Sequence, residues 1–373
     1  MKLTKLTKSV TVATLAVALA VPTFSASAAS KFSTAKSAAE VGGMNGLIKE
    51  CKKEGKLITD ATPRDWANYG GIYDLFEKKV GFAADIVNPN NGSQQEIDAA
   101  NNLKGTKRSP DVFDLSPVIA QKYLTTGHFA PYKVVNQKQF PSFRDKSGRT
   151  TPNYTGVMSV GYDGSLGTIT KLDDLLDPKF RGIVALNGNP MTTGAGMAGL
   201  NMVNVANGGV FGEVSKGVAW FKKLKDAGNF INVDPTPATI ESGQTRVVID
   251  WSYNNKAVAD RFKAVGKSWK IFIPANAVVG STYRTAISAW APHPACARLW
   301  VEIALSPEGA NEWAKGGAIP ALWPYTVAQK KASKAAIAVI GTTATVPAAP
   351  TEAEGVAALA QLKTSWEAAV GAR

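Results

Sequence analysis

Apolar residues recur along the chain in two alternating rhythms, and their succession outlines the fold. Ala38 to Glu54 carries Val41, Met44, Leu47 and Ile48 at helical spacing and stops at Gly55; Lys56 to Ala61 then reads as a short strand. Trp66 to Val80 is amphipathic again, with Tyr69, Ile72, Tyr73, Leu75 and Phe76 on its apolar face. Phe82 to Val87 predicts a second strand, Gln94 to Leu103 a helix, Asp111 to Leu115 a third strand and Pro117 to Thr125 a further helix. This order implies an α/β fold in which helices flank a mixed, mostly parallel sheet.

A second series follows extended, crossing segments around Gly156 to Tyr162. A short helix from Lys171 ends at Pro178, Arg181 to Leu186 is a strand, and Thr192 to Ala206 and Val214 to Ala227 are helices. Thr236 to Gly243 is a short helix, Arg246 to Asp250 an apolar strand and Asn254 to Val265 a helix, while Ser268 to Pro274 reads as the strand that returns to the first half. The expected organisation is two α/β lobes joined by crossing strands. Residues 29–155 with 275–336 make lobe 1, and residues 156–274 make lobe 2. Residues 337–350, rich in Ala, Thr and Val with two prolines, read as a linker, and 351–373 as a final amphipathic helix. Two lobes joined in this way leave a cleft, and ligands of open α/β sheets sit beyond the carboxyl ends of the strands.

The first residues change the picture of where the protein works. Lys2, Lys5 and Lys8 precede an apolar run from Val10 to Val21, and Ala26-Ser27-Ala28 supplies small residues at alternate positions. This is the pattern of a secretory signal peptide, residues 1–28, with cleavage expected before Ala29. The run is shorter than the roughly 20 residues that span a bilayer. No cysteine stands close behind it, the first being Cys51, so a free periplasmic protein is expected in place of a lipoprotein. Removing the three lysines takes the formal charge from +13 to +10. An exported chain with scattered Lys and Arg is a poor nucleic-acid binder, and no such partner is expected. Cys51 and Cys296 enter an oxidising compartment and allow one intramolecular pairing, although spacing alone does not bring the sulfurs together.

Four stretches carry a family resemblance in their order and spacing. They are Asp111-Val112-Phe113-Asp114, Leu172 to Gly182 (LDDLLDPKFRG), Glu241-Ser242-Gly243 with Val247-Val248-Ile249-Asp250-Trp251, and Pro292-His293-Pro294-Ala295 leading to Leu305-Ser306-Pro307-Glu308-Gly309. With these the chain resembles the extracellular solute-binding proteins of ABC importers, a family including ferric-ion, polyamine, thiamine and phosphonate binders. The resemblance implies a type II periplasmic-binding-protein fold and two partners, a small-molecule ligand and the transmembrane subunits of an ABC permease; a monomer without cofactor or metal is expected.

The strand ends supply the candidate ligand contacts. Thr192, Thr193 and Gly194 lie between a strand and a helix, where exposed amides and the helix dipole suit an anion. The resemblance likens this turn to one that holds the anion in ferric-ion binders. Asp250, Trp251 and Tyr253 follow a strand; Trp251 is similar to a ligand-stacking tryptophan of polyamine binders, and an aromatic face beside a carboxylate suits an organic ammonium. Ferric-ion binders carry paired tyrosines there, and this chain has only Tyr253, which argues against iron. Arg64, Asp65 and Trp66 occupy the first strand-to-helix loop, and Ser93 and Ser116 the next two. Tyr283 and Arg284 complete the set; an arginine where polyamine binders are acidic favours a carboxylate or phosphonate.

Together these residues predict an importer component that binds an amine-bearing small anion or zwitterion, of aminophosphonate or amino-carboxylate type. A polyamine or other organic cation is the alternative reading. A secreted hydrolase is a third, but His128 and His293 are the only histidines and neither sits in a nucleophile or metal motif. A sensor-feeding binder has the same sequence signature as an importer component.

Overall fold

One strand of 13 residues, Thr151–Asp163, ties the two halves of the molecule together. The structure, a computed structural model, describes residues 30–141, 145–344 and 346–371. The leader expected over residues 1–28 lies outside them. In chain order the strands are β1 (Ile58–Asp60), β2 (Asp85–Val87), β3 (Val112–Leu115), β4 (Phe129–Ala130) and β5 (Thr151–Asp163). They continue with β6 (Val184–Leu186), β7 (Val247–Trp251), β8 (Trp269–Phe272), β9 (Gly280–Ser288) and β10 (Ile319–Pro320).

Lobe 1 is built on the parallel set β2-β1-β3, to which β9 adds antiparallel, followed by the first half of β5. Lobe 2 is built on the parallel pair β6-β7, flanked by the second half of β5 and, beyond it, β8. All five residues of β7 (Val-Val-Ile-Asp-Trp) are buried, as expected of a strand covered on both faces. Helices begin where the pattern placed them: Tyr69–Val80, Ser93–Asn102, Gly194–Ala206, Ser215–Asp226 and Ser252–Ala264 all lie within a few residues of expectation.

The return to lobe 1 is made by a different segment from the one expected. Within Ser268 to Pro274, β8 pairs antiparallel with β5 (Val160↔Phe272, Asp163↔Trp269) and stays in lobe 2. The crossing is made by β9, whose register runs from Val157↔Gly280 on β5 to Val112↔Ile287 on β3. β9 hides its role because several of its buried positions are polar. The Thr282 and Thr155 hydroxyls bond each other at 2.7 Å and Thr285 Oγ1 donates to the Phe113 carbonyl at 3.3 Å.

The expected linker 337–350 also differs. It starts inside a helix, Lys334–Ile340, which Ser333 caps by accepting from Ala336 N, and Ala348 then pairs with Val279 beside the crossing strands. Cys51 and Cys296 are joined, linking the helix Gly43–Glu54 to the helix Pro294–Ala304 across 245 residues of chain. His293 is the cap residue of that second helix, and its Nδ1 lies 2.9 Å from Asp111 Oδ2.

Candidate functional site

A cavity of about 640 Å³ opens between the lobes against β9. Lobe 1 contributes the start of the helix Pro117–Tyr123, lobe 2 the turn Pro190 to Gly194 and the helix behind it, and the C-terminal segment the outer wall from Val346 to Leu359. Most of the lining is apolar, including Pro117, Val118, Met191 and Met197.

The turn is held open by its own hydrogen bonds. Asn189 accepts from the amides of Met191, Thr192 and Thr193, and Thr193 Oγ1 caps the helix Gly194–Ala206 by accepting from Gly196 N at 3.1 Å. A Cβ on Gly194 would lie 2.8 Å from both Ser116 Cβ and Tyr283 Oη, so glycine is what lets lobe 1 and β9 reach this helix start. Ser116 lines the cavity, and Ser93 supports it from behind by accepting from Ser116 N at 2.9 Å.

Arg284 lies on β9 and faces the same cavity with 9% of its surface exposed. Burial lowers its pKa, and the charges of Glu352 and Asp145 oppose that shift. The cavity therefore brings together a guanidinium, a carboxylate from Glu352, two threonines and the start of a 13-residue helix.

The structure adds Asn201, which sequence reasoning missed. It lines the cavity, is 1% exposed, and its Oδ1 has no hydrogen-bond partner. Its neighbour Asn204, one turn on, is fully engaged with Val210 O, Glu213 O and Gly217 N. The available signal was a pair of asparagines in an otherwise small and apolar helix.

The other candidates are placed elsewhere. Trp251 and Tyr253 are buried in an aromatic wall with Trp66, Tyr154 and Tyr283, with ring centroids 5.5 to 6.2 Å apart among the closest pairs. The Trp66 indole donates to Tyr154 Oη at 2.8 Å, and Tyr154 donates to Asp114 Oδ2 at 2.6 Å. Burial pushes the Asp114 carboxyl up to about 7. Asp250 accepts from Trp251 N at 2.6 Å and Asn254 Nδ2 at 3.0 Å, and burial raises its pKa to about 6. Trp251 thus packs as core and Asp250 serves the start of the next helix, neither lining the cavity.

On the far side of this wall lies a groove of about 580 Å³ that contains Arg64, Asp65 and Tyr253. Arg64 pairs with Asp74, and Asp65 reaches across to Arg261 of lobe 2 at 2.9 Å. A second link between the lobes runs from Gln94 N to Thr192 O at 3.3 Å. The lobes are therefore in contact on both sides of the crossing strands. Among the described residues no group of three metal-ligating side chains occurs, and no helix is long and apolar enough to cross a membrane. His128 bonds Thr126 and Asn101, His293 bonds Asp111, and neither lines the cavity.

Two lobes that meet over a cavity, joined by crossing strands, define a solute-binding protein. The chain belongs to the bacterial extracellular solute-binding proteins, whose sequence profile matches residues 107–342. Membership of that family makes it a binder of a solute.

Solved structures share the fold. The periplasmic binding protein AfuA from Actinobacillus pleuropneumoniae, with exogenous fructose-6-phosphate bound, superposes with a TM-score of 0.61 at 19% identity, covering 85% of this chain and 99% of that one. A ferric binding protein from Campylobacter jejuni gives 0.57 at 17% identity, covering 85% and 99%. The sulfate-binding protein SubI from Mycobacterium tuberculosis H37Rv gives 0.53 at 17%, covering 74% and 88%. No curated protein sequence matches the chain.

Proposed function

We propose that the protein, working as a monomer in the periplasm, captures a small anion carrying an amine, of aminophosphonate or amino-carboxylate type, and delivers it to the transmembrane subunits of an ABC permease. The observation that carries the reading is that Arg284 and the Thr192–Gly194 helix start face one cavity between the lobes. An oxyanion there meets the guanidinium fork, the Thr192 hydroxyl and the positive end of the helix dipole in a largely apolar, weakly screening setting, while Thr193 caps the helix. The anions named for AfuA and SubI, a sugar phosphate and sulfate, are consistent with it.

Binding works by selection of the closed arrangement, because only then do donors from lobe 2 and β9 converge. A polyamine is disfavoured, since Arg284 repels a dication inside the cavity. The test is titration of the mature protein with 2-aminoethylphosphonate and with putrescine, followed by tryptophan fluorescence. Saturable binding of 2-aminoethylphosphonate is expected; saturation by putrescine alone would reverse the assignment.

A further inference from the structure

The family profile stops at residue 342, yet one whole wall of the cavity comes from beyond it. Residues 346–370 run across both lobes. Ala348 accepts from Gly280 N at 2.8 Å and donates to Val278 O at 3.2 Å, beside the point where β9 starts its crossing. The helix Glu352–Val370 then packs on the lobe 2 helix Ser215–Asp226 and on the lobe 1 helix Pro117–Tyr123.

Its lobe 2 anchors are specific. Gln361 donates to Gly212 O and accepts from Val214 N, Trp366 meets Phe221 edge-on at 5.2 Å, and Asn232 Nδ2 donates to the Val370 carbonyl. Its lobe 1 contact is close: a Cβ on Gly355 would lie 2.5 Å from Val118 Cγ2. The position of the helix start is therefore fixed from three sides.

That start brings a carboxylate to the cavity. Glu352, itself exposed, lines it, and its charge favours the protonated Arg284. Glu352 is not used by the helix itself, because the cap is completed by Thr351 and Glu354, with Thr351 N donating to Glu354 Oε2 at 2.7 Å and Glu354 N donating to Thr351 Oγ1 at 3.3 Å. The second pointer is Asn201, whose buried Oδ1 in the same cavity lacks a donor. A buried acceptor left without a donor is costly, and a donor brought by the solute removes that cost.

We propose that Glu352, together with the Asn201 carbonyl, recognises the ammonium group of the solute, which makes the C-terminal segment the specificity-determining wall of the site. This rests on the anion reading above and deepens it: Arg284 and the Thr192–Gly194 turn hold the acidic end, and Glu352 and Asn201 the amine. Asp250 and Trp251, the sequence-based choice for the amine, are buried behind the aromatic wall and leave this task to the tail.

The test compares 2-aminoethylphosphonate with ethylphosphonate, which lacks the amine, on the full mature chain, on Glu352→Gln and on Glu367→Gln, an exposed control far along the same helix. The unaltered protein is expected to prefer 2-aminoethylphosphonate by about tenfold or more, as a charge-assisted hydrogen bond warrants. Glu352→Gln is expected to erase that preference while keeping its affinity for ethylphosphonate, and Glu367→Gln to match the unaltered chain. No preference for the amine in the unaltered protein, a preference that survives in Glu352→Gln, or an equal loss of both probes overturns the role of the tail and leaves the anion site standing. Binding of neither probe overturns the anion reading itself.

Discussion

The cavity and the groove lie on opposite sides of one aromatic wall, both between the lobes and similar in volume, at about 640 and 580 Å³. They differ in what their charges do. In the groove Arg64 is matched by Asp74, Asp65 by Arg261, Lys256 by Asp260 and Lys315 by Glu312, each within 3 Å. Charges already neutralised by neighbours at a wet surface offer a solute little. In the cavity the largely buried Arg284 guanidinium, the Glu352 carboxylate and a helix start stand against a mostly apolar lining, where the local dielectric is low and a bound charge is weakly screened. Size does not distinguish the two, but the disposition of charge does.

The largest effect expected from that contrast comes from exchanging one arginine on each side. Arg284→Met should weaken 2-aminoethylphosphonate binding on the order of 100-fold, because it removes the buried cation that meets the oxyanion. Arg64→Met should leave affinity within about twofold, since Arg64 already serves Asp74 at the surface. Calorimetric titration of both variants checks this. If Arg64→Met is the damaging change, the solute sits in the groove and the comparison is inverted.

The wall between the two sides can be examined through Asp114, the buried acid that Tyr154 bonds. The Asp114 carboxyl stands at about 7 against an ordinary 3.8, raised by burial that the hydrogen bonds from Tyr154, Tyr69 and Asn153 only partly offset. Between those two values the folded chain keeps a proton that the unfolded chain has released, so Asp114 costs stability increasingly as pH rises, until the cost levels off above about 7. Asp114→Asn removes this cost. In urea unfolding at pH 5, 6, 7 and 8, its stability relative to the unaltered protein should therefore climb with pH, by on the order of 1 kcal/mol per unit up to pH 7. A flat difference would mean that water reaches Asp114 and that the wall does not isolate the cavity.

Much of this arrangement was legible in the sequence. The apolar rhythm gave the two lobes, and the Thr192–Gly194 turn and Arg284 were picked out by residue type; both line the cavity. Asp250-Trp251-Tyr253 was visible as a motif, but a strand buried on both faces gives no sign of which side meets ligand, and tertiary packing placed it inside the wall. β9 escaped notice as a crossing strand because an arginine, a threonine and a serine (Arg284, Thr285 and Ser288) occupy buried positions on it, and only the surroundings across the sheet explain them. The role of the tail was illegible for a related reason: Glu352 acquires meaning from residues some 70 positions away on β9, a proximity that no local pattern encodes.

The smallest effect tests the groove on its own terms. The Asp65–Arg261 pair spans the lobes at 2.9 Å with its side chains one-third to one-half exposed, so it contributes at most about 1 kcal/mol to the closed arrangement. If the groove only latches the lobes, Asp65→Asn should raise the dissociation rate of 2-aminoethylphosphonate by less than about fivefold and leave its association rate unchanged. The effect should shrink further in 0.5 M salt, where exposed pairs are screened. Stopped-flow fluorescence separates the two rates. A large fall in the association rate would instead make the groove the path by which the solute arrives, giving the two sides of the wall successive roles in a single capture event.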